Sequence, residues 1–278
     1  MSNSPPDQFA PLQINPKTGE PFLRLREHEN IILTPPRWED AEALLPLFND
    51  PAMYQWFVSP PVPYLKGPRA CSSLKMVIIL ALEDGEKYIK WLKEPIDASI
   101  QKLKDAQGSE TLLVADRCPI GVIREVDGER DRMIGNIQMT RTDLGQFVDT
   151  DSVNPEGKER IESENNQLPV GDPRIIWTSG SKLLSTAIVV ALTSLSDYLS
   201  PSHHGKGITT DALRTLIYDW CIPRMNARRF LIATLDGNVA SVRTYQKVGF
   251  TLTRVVPPHQ IVKGKLRGNN ILEMTVDG

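Results

Sequence analysis

Apolar positions recur along this chain in two rhythms, and the change between them marks its elements. Over Trp38–Asn49, Ala41, Leu44, Leu45 and Phe48 fall three and four apart, a helical spacing. Pro46 lies inside that pattern and marks a kink or an early end. Helices are also expected over Glu83–Leu92, Ile96–Ala106, Ile208–Trp220 and Asn238–Val248. Strict alternation takes over at Met133, Gly135, Ile137 and Met139, so Met133–Arg141 reads as a half-buried strand. Further strands are expected at Phe22–Arg26, Ile31–Thr34, Leu112–Ala115, Gly121–Val126, Ile175–Thr178, Asp197–Leu199, Phe230–Leu235, Thr251–Val256 and Asn270–Val276, with Asp127-Gly128 as a hairpin turn. Strands before, between and after a few helices predict an α/β (α+β) fold on a mixed sheet.

Two stretches keep neither rhythm. Residues 67–82 end in the apolar run Met76–Leu82, and residues 181–196 carry Ala187–Leu192, both without an amphipathic period. They read as insertions, of the kind a retained intron would encode. Residues 149–171 are polar and charged and read as an exposed loop. Residues 1–20, polar and proline-rich, read as a flexible tail without the apolar segment of a secretory signal.

Bulk composition narrows the classes of partner. The chain has 278 residues and a formal net charge of −2, which gives no electrostatic case for nucleic acid. No segment reaches the roughly 18 apolar residues of a membrane span. The three cysteines, Cys71, Cys118 and Cys221, lie far apart with no metal-ligand spacing. A cytoplasmic protein without a metal is the expectation.

The chemistry concentrates at Ser200-Pro-Ser-His-His-Gly-Lys-Gly-Ile208. Gly205 and Gly207 precede the helical pattern from Ile208. A glycine turn at a helix start offers unpaired backbone N–H groups and the positive end of the helix dipole, a site for a phosphate or pyrophosphate. The spacing is not that of a P-loop, and Thr210 stands where a dinucleotide fingerprint needs its third glycine. The adjacent pair His203-His204 offers too few ligands for a metal. About 30 residues on lies Asn238-Val-Ala-Ser-Val-Arg-Thr-Tyr-Gln-Lys-Val-Gly-Phe250. Asn238, Ser241 and Tyr245 share one helix face, Asn238 can cap that helix, and Gly249 can end it. Arg243 and Lys247 lie four apart, as on a solvated helix face. Tyr245 by itself would suit a packed helix aromatic.

Together these motifs resemble the GNAT N-acetyltransferases: the pyrophosphate turn Gln/Arg-x-x-Gly-x-Gly/Ala, with Ser202 at its first position, and the segment Asn-x-x-Ser-x-x-x-Tyr-x-x-x-Gly-Phe. The resemblance is to the ribosomal-protein-acetylating subgroup (acetyltransferase type 3), of fungal character, in which Trp-Thr-x-Gly-Asp-Tyr-Leu-Ser-Pro reads as one strand. Omitting 181–196 restores that run here. The resemblance implies one domain over 21–278 with the acyl-CoA N-acyltransferase fold, a mostly antiparallel central sheet splayed at the cofactor site with helices on both faces. It implies direct acetyl transfer from acetyl-CoA to an amine acceptor, a small molecule or a protein amine. Pyrophosphate donors would be the backbone from His203 through His204, Gly205, Lys206 and Gly207 to Ile208. The backbone at Tyr198 and Leu199 would polarise the thioester carbonyl, and Asn238 and Ser241 would hold cofactor. Tyr245, with an ordinary pKa near 10, matches the general acid. Asp197 and His204 are candidate bases. Trp56, Phe57 and Pro60–Tyr64 are candidate walls for the acceptor. Two other readings stay open: an acyl-CoA-binding protein with a strand broken by its insertion, and a binder of another phosphate ligand.

Overall fold

The computed structural model describes residues 4–57, 84–128, 130–142, 160, 163–179 and 197–277. The expected insertions at 67–82 and 181–196, the acceptor wall at Pro60–Tyr64 and most of the expected 149–171 loop lie outside them.

Two sheets form the frame. In one, β1 (Gln13–Ile14), β2 (Pro21–Arg24), β3 (Ile31–Thr34), β4 (Val122–Asp127), β5 (Arg130–Asn136) and β8 (Tyr198–Leu199) lie side by side in that order. The other runs β10 (Thr251–Val262), β11 (Lys265–Thr275), β9 (Arg229–Leu235), β7 (Ile176–Ser179), β6 (Met139–Arg141). All neighbours are antiparallel except β7 and β9. Helices include α1 (Asp40–Asn49), α2 (Pro51–Tyr54), α3 (Asp84–Asp105), α4 (Ile208–Thr215), α5 (Ile222–Met225) and α6 (Val239–Val248), with a π-helical turn at Leu216–Cys221 joining α4 to α5.

The expected strand Met133–Arg141 is two, β5 and β6, divided at Ile137–Gln138. The Ile137 N–H leaves the ladder to reach the Gly121 carbonyl at 2.7 Å. The two helices expected around Pro95 are one, α3. Tyr88, Leu92, Ile96 and Leu103 stay buried on one face across the proline, and that continuous packing outweighs the backbone bond Pro95 cannot donate. Leu112–Ala115 is not a strand: the Leu113 N–H donates to the Gln8 side chain at 2.9 Å and Ala115 to the Arg224 carbonyl at 2.7 Å.

The expected flexible tail is corrected over much of its length. Phe9 and Leu12 are buried in the main core, β1 pairs with β2, and Arg224 donates to the Gln8 carbonyl at 2.8 Å. The Arg224 contact joins residues 216 positions apart, so local composition carries no trace of it.

Two cores support the frame. One packs α4, the π turn and α6 against both sheets through Ile137, Trp177, Leu213, Trp220, Phe230 and Leu272. The other sets α1 and α3 against Val122, Met133 and Tyr198. A buried ion pair ties α1 to β4: Arg124 donates to both carboxylate oxygens of Asp40, at 2.8 and 2.6 Å.

Candidate active site

The sheets part where the candidate chemistry lies. β7 runs parallel to β9 only at Ile176 and Trp177. Beyond the undescribed stretch the chain continues as β8, which pairs with β5 and has no strand on its other side among the described residues. The Ser200 N–H donates to the Ile134 carbonyl at 2.6 Å. In an antiparallel ladder inward donors then fall at Ser200 and Tyr198, and the Leu199 N–H points away from β5. Of the two expected carbonyl-polarising donors, Leu199 is therefore open and Tyr198 is spent on the ladder. The Tyr198 side chain packs edge-on to Phe48 and Phe57 in the second core.

Asp197 stands at this opening with three donors around it. The Tyr245 hydroxyl donates to Oδ2 at 2.9 Å, the Ser179 hydroxyl donates to the same oxygen, and the Gln138 N–H donates to Oδ1 at 3.2 Å. The two expected catalytic residues thus meet directly. Desolvation pushes the Asp197 carboxyl up to about 6 despite those donors. Burial, and then the Asp197 charge, hold Tyr245 well above the ordinary phenol range. The expected phenol near 10 is corrected: at neutral pH Tyr245 keeps its proton, and Asp197 is mostly ionised. Ser179 and Gln138 were missed in the sequence, where only their places beside Gly180 and in the alternating strand could have marked them.

The glycine turn is partly open. The N–H groups of His203 and His204 donate to the carbonyls of Ser200 and Pro201 at 2.9 and 3.1 Å in a 3₁₀ turn, so neither is a free phosphate donor. The N–H groups of Gly205, Lys206, Gly207 and Ile208 have no partner among the described residues. Gly205 and Gly207 have φ of 74° and 83°, a left-handed backbone that other residues adopt at a cost. The turn is exposed from His204 to Gly207 and stands at the start of α4, where the helix dipole adds positive potential. His204 points elsewhere than Asp197: its Nε2 lies 2.7 Å from the Leu199 carbonyl and steadies β8.

On α6 the Asn238 side chain accepts from the Ser241 N–H at 3.2 Å, so Asn238 is the helix cap. Gly249 ends the helix at φ 119°. Arg243 and Lys247 are exposed. Phe57 is core, whereas Trp56 lies under the Arg267 guanidinium, 4.8 Å from its ring centre, beside the β9–α6 turn. Among the described residues no group of three metal-ligating side chains occurs and no helix is long and apolar enough to cross a membrane.

Residues 165–251 match the family described as acetyltransferase (GNAT) domain, a stretch that contains Asp197, the glycine turn and Tyr245. No curated protein matches the chain. Among solved structures, apo RimL, the ribosomal L7/L12 α-N-protein acetyltransferase, aligns at a TM-score of 0.50 and 13% identity, covering 95% of this chain and 99% of its own. A GNAT-family acetyltransferase from Bacillus anthracis aligns at 0.49 and 10% identity, covering 91% and 98%. The microcin C7 self-immunity acetyltransferase MccE, in complex with acetyl-CoA and AMP, aligns at 0.44 and 17% identity, covering 90% and 94%. The fold is that of the GNAT acetyltransferases.

Proposed function

We propose that this chain moves an acetyl group from acetyl-CoA to a primary amine in one direct transfer. The observation that carries the reading is the 2.9 Å contact of the Tyr245 hydroxyl with Asp197, beside the open edge of β8. It lies inside the stretch that matches the GNAT domain.

Acetyl-CoA supplies the acetyl group, and the reaction exchanges a C–S bond for a C–N bond while one proton passes from nitrogen to sulfur. The N–H groups of Gly205 through Ile208 bind the pyrophosphate, with Lys206 adding positive charge. The Leu199 N–H stabilises the negative charge that develops on the carbonyl oxygen. Asp197, ionised at neutral pH, takes the proton from the acceptor amine at Oδ2. Tyr245 gives its own proton to the leaving sulfur and recovers one from Asp197 through their shared hydrogen bond. A phenol held well above its ordinary pKa is a poor free acid. Coupling it to a carboxyl that has just gained a proton offsets that reluctance. Asn238 and Ser241 shape the same helix face and complete the cofactor side.

The test is a melting curve of the purified 278-residue chain with acetyl-CoA and with a nucleotide lacking the pantetheine arm, followed by turnover on a panel of amines. Specific binding raises the melting temperature. We expect a response to acetyl-CoA and release of free CoA with an amine acceptor. A response only to the nucleotide would favour the other phosphate ligand. Acetyl-CoA binding without turnover on any amine would favour the acyl-CoA-binding protein.

A further inference from the structure

His28, between β2 and β3, touches both the glycine turn and the helix behind it. Its Nδ1 lies 2.8 Å from Asp211 Oδ2, and its Nε2 lies 2.9 Å from the Lys206 carbonyl oxygen. A carbonyl only accepts, so Nε2 carries a proton. Asp211 Oδ2 already accepts from the Glu27 and His28 N–H groups at 2.8 and 3.0 Å, so it accepts from Nδ1 as well. Both ring nitrogens donate, and the ring is an imidazolium. Asp211 is 1% exposed, and its Oδ1 has no partner among the described residues, so removing the imidazolium would leave a buried charge poorly compensated.

The Lys206 carbonyl that His28 holds belongs to the peptide unit whose N–H is that of Gly207. Fixing the carbonyl inward fixes that N–H outward, toward the proposed pyrophosphate. The Gly207 backbone lies against the ring: a Cβ built there would come 3.8 Å from His28 Cε1. Resting on the acetyltransferase reading, we propose that His28, as an imidazolium, is a positioning residue for the phosphate turn, and that acetyl-CoA binding weakens as this ring loses its proton.

The charges around it agree. From its own connection come Glu27, which draws the proton toward the ring, and Arg26, which is paired with Asp219 beyond α4. From α4 come Asp211 and Arg214, the latter 3.3 Å from Glu27. From the turn comes Lys206, through its carbonyl. The Asp211 hydrogen bond is the largest cause that raises His28 above the ordinary histidine value. The ring therefore holds its proton to a higher pH than an ordinary histidine does.

The experiment is calorimetric binding of acetyl-CoA to the full chain from about pH 7 to 9.5, above the range where phosphate monoesters titrate. The His28 ring is followed by NMR over the same range. Wild-type affinity is expected to fall about tenfold with the midpoint at which the ring titrates, as loss of a charge-assisted hydrogen bond predicts. His28→Gln is expected to bind about tenfold more weakly at pH 7 with no such midpoint. His28→Arg, a permanent cation, is expected to bind without that midpoint and more tightly than His28→Gln at pH 9. Wild-type binding that is flat across the His28 titration, or an unchanged profile in His28→Gln, overturns the inference alone. The wild-type comparison needs no variant to fold. Failure of the wild type to bind acetyl-CoA at any pH overturns the acetyltransferase reading together with this one.

Discussion

The Ser179 hydroxyl donates to the Asp197 carboxylate although the two residues are 18 positions apart. Their strands explain the contact. Paired residue numbers sum to 334 across β5 and β8 and to 318 across β6 and β7. The difference of 16 equals the length of segment 181–196. The chain therefore resumes at Asp197 in the register it held at Ser179, as one strand would with nothing between Gly180 and Asp197. This continuity weighs against a broken strand: Asp197 and Leu199 stand where an uninterrupted ladder would place them.

Deleting 181–196 is expected to leave the fold intact and to raise stability by up to about 2 kcal/mol, the closure entropy of a loop of that length. Urea unfolding of the shortened chain beside the full chain reads this directly. A shortened chain that no longer unfolds cooperatively would show that the register continuity does not reflect one underlying strand.

Asp197 should set the acid limb of activity. Its carboxyl is raised from 3.8 to about 6, so kcat/KM is expected to rise with pH through about 6. Asp197→Asn should lower kcat by about 10²–10⁴ and abolish that limb. The stability effect has the opposite sign. Because the folded state holds this proton more tightly, Asp197 costs stability progressively as pH rises from about 4 to about 6. Asp197→Asn should therefore be the more stable protein above pH 6, by at most about 3 kcal/mol. A variant that is inactive but no more stable at pH 8 than at pH 4, relative to wild type, would place the raised pKa in doubt.

Tyr245→Phe separates a catalytic hydroxyl from a packed aromatic ring. The ring packs edge-on to Phe250, 5.3 Å between centres, and phenylalanine keeps that contact. The hydroxyl's hydrogen bond to Asp197 is lost. We expect kcat to fall by about 10²–10⁴. The acid limb should move to higher pH, because Asp197 loses a donor that favours its ionised form. A loss of activity with an unmoved limb would leave Tyr245 a structural residue.

The sequence marked the parts of this site that are local. The α6 helix, its Asn238 cap, its Gly249 end and the Gly205–Gly207 turn follow from residue types a few positions apart. The resemblance marked Tyr245 as the acid and left Asp197 one of two candidate bases, but their contact was not legible, since no spacing brings together residues 48 apart. The His28–Asp211 contact, across 183 positions, left no sequence signal. The spending of the His203, His204 and Tyr198 N–H groups was equally hidden. It depends on a 3₁₀ turn and on ladder phase, which two residues cannot reveal. The break expected between Leu92 and Ile96 erred in the other direction, because α3 is held by packing along its buried face.

The glycine turn offers a comparison that divides backbone strain from ligand binding. Gly207 has φ 83° and Gly108, after α3, has φ 85°. A Cβ at Gly108 meets nothing within 4 Å, and one at Gly207 meets only His28 Cε1 at 3.8 Å, an ordinary contact. Alanine at either position therefore carries the same backbone penalty, about 1–2 kcal/mol, and little steric clash. Urea unfolding should show similar losses for Gly207→Ala and Gly108→Ala. Their acetyl-CoA affinities should diverge. Strain at 207 is relieved by rotating the peptide units whose N–H groups bind the pyrophosphate, so Gly207→Ala should bind at least about tenfold more weakly while Gly108→Ala binds as wild type. Equal affinities in the two variants, with equal losses of stability, would remove the turn from the binding site.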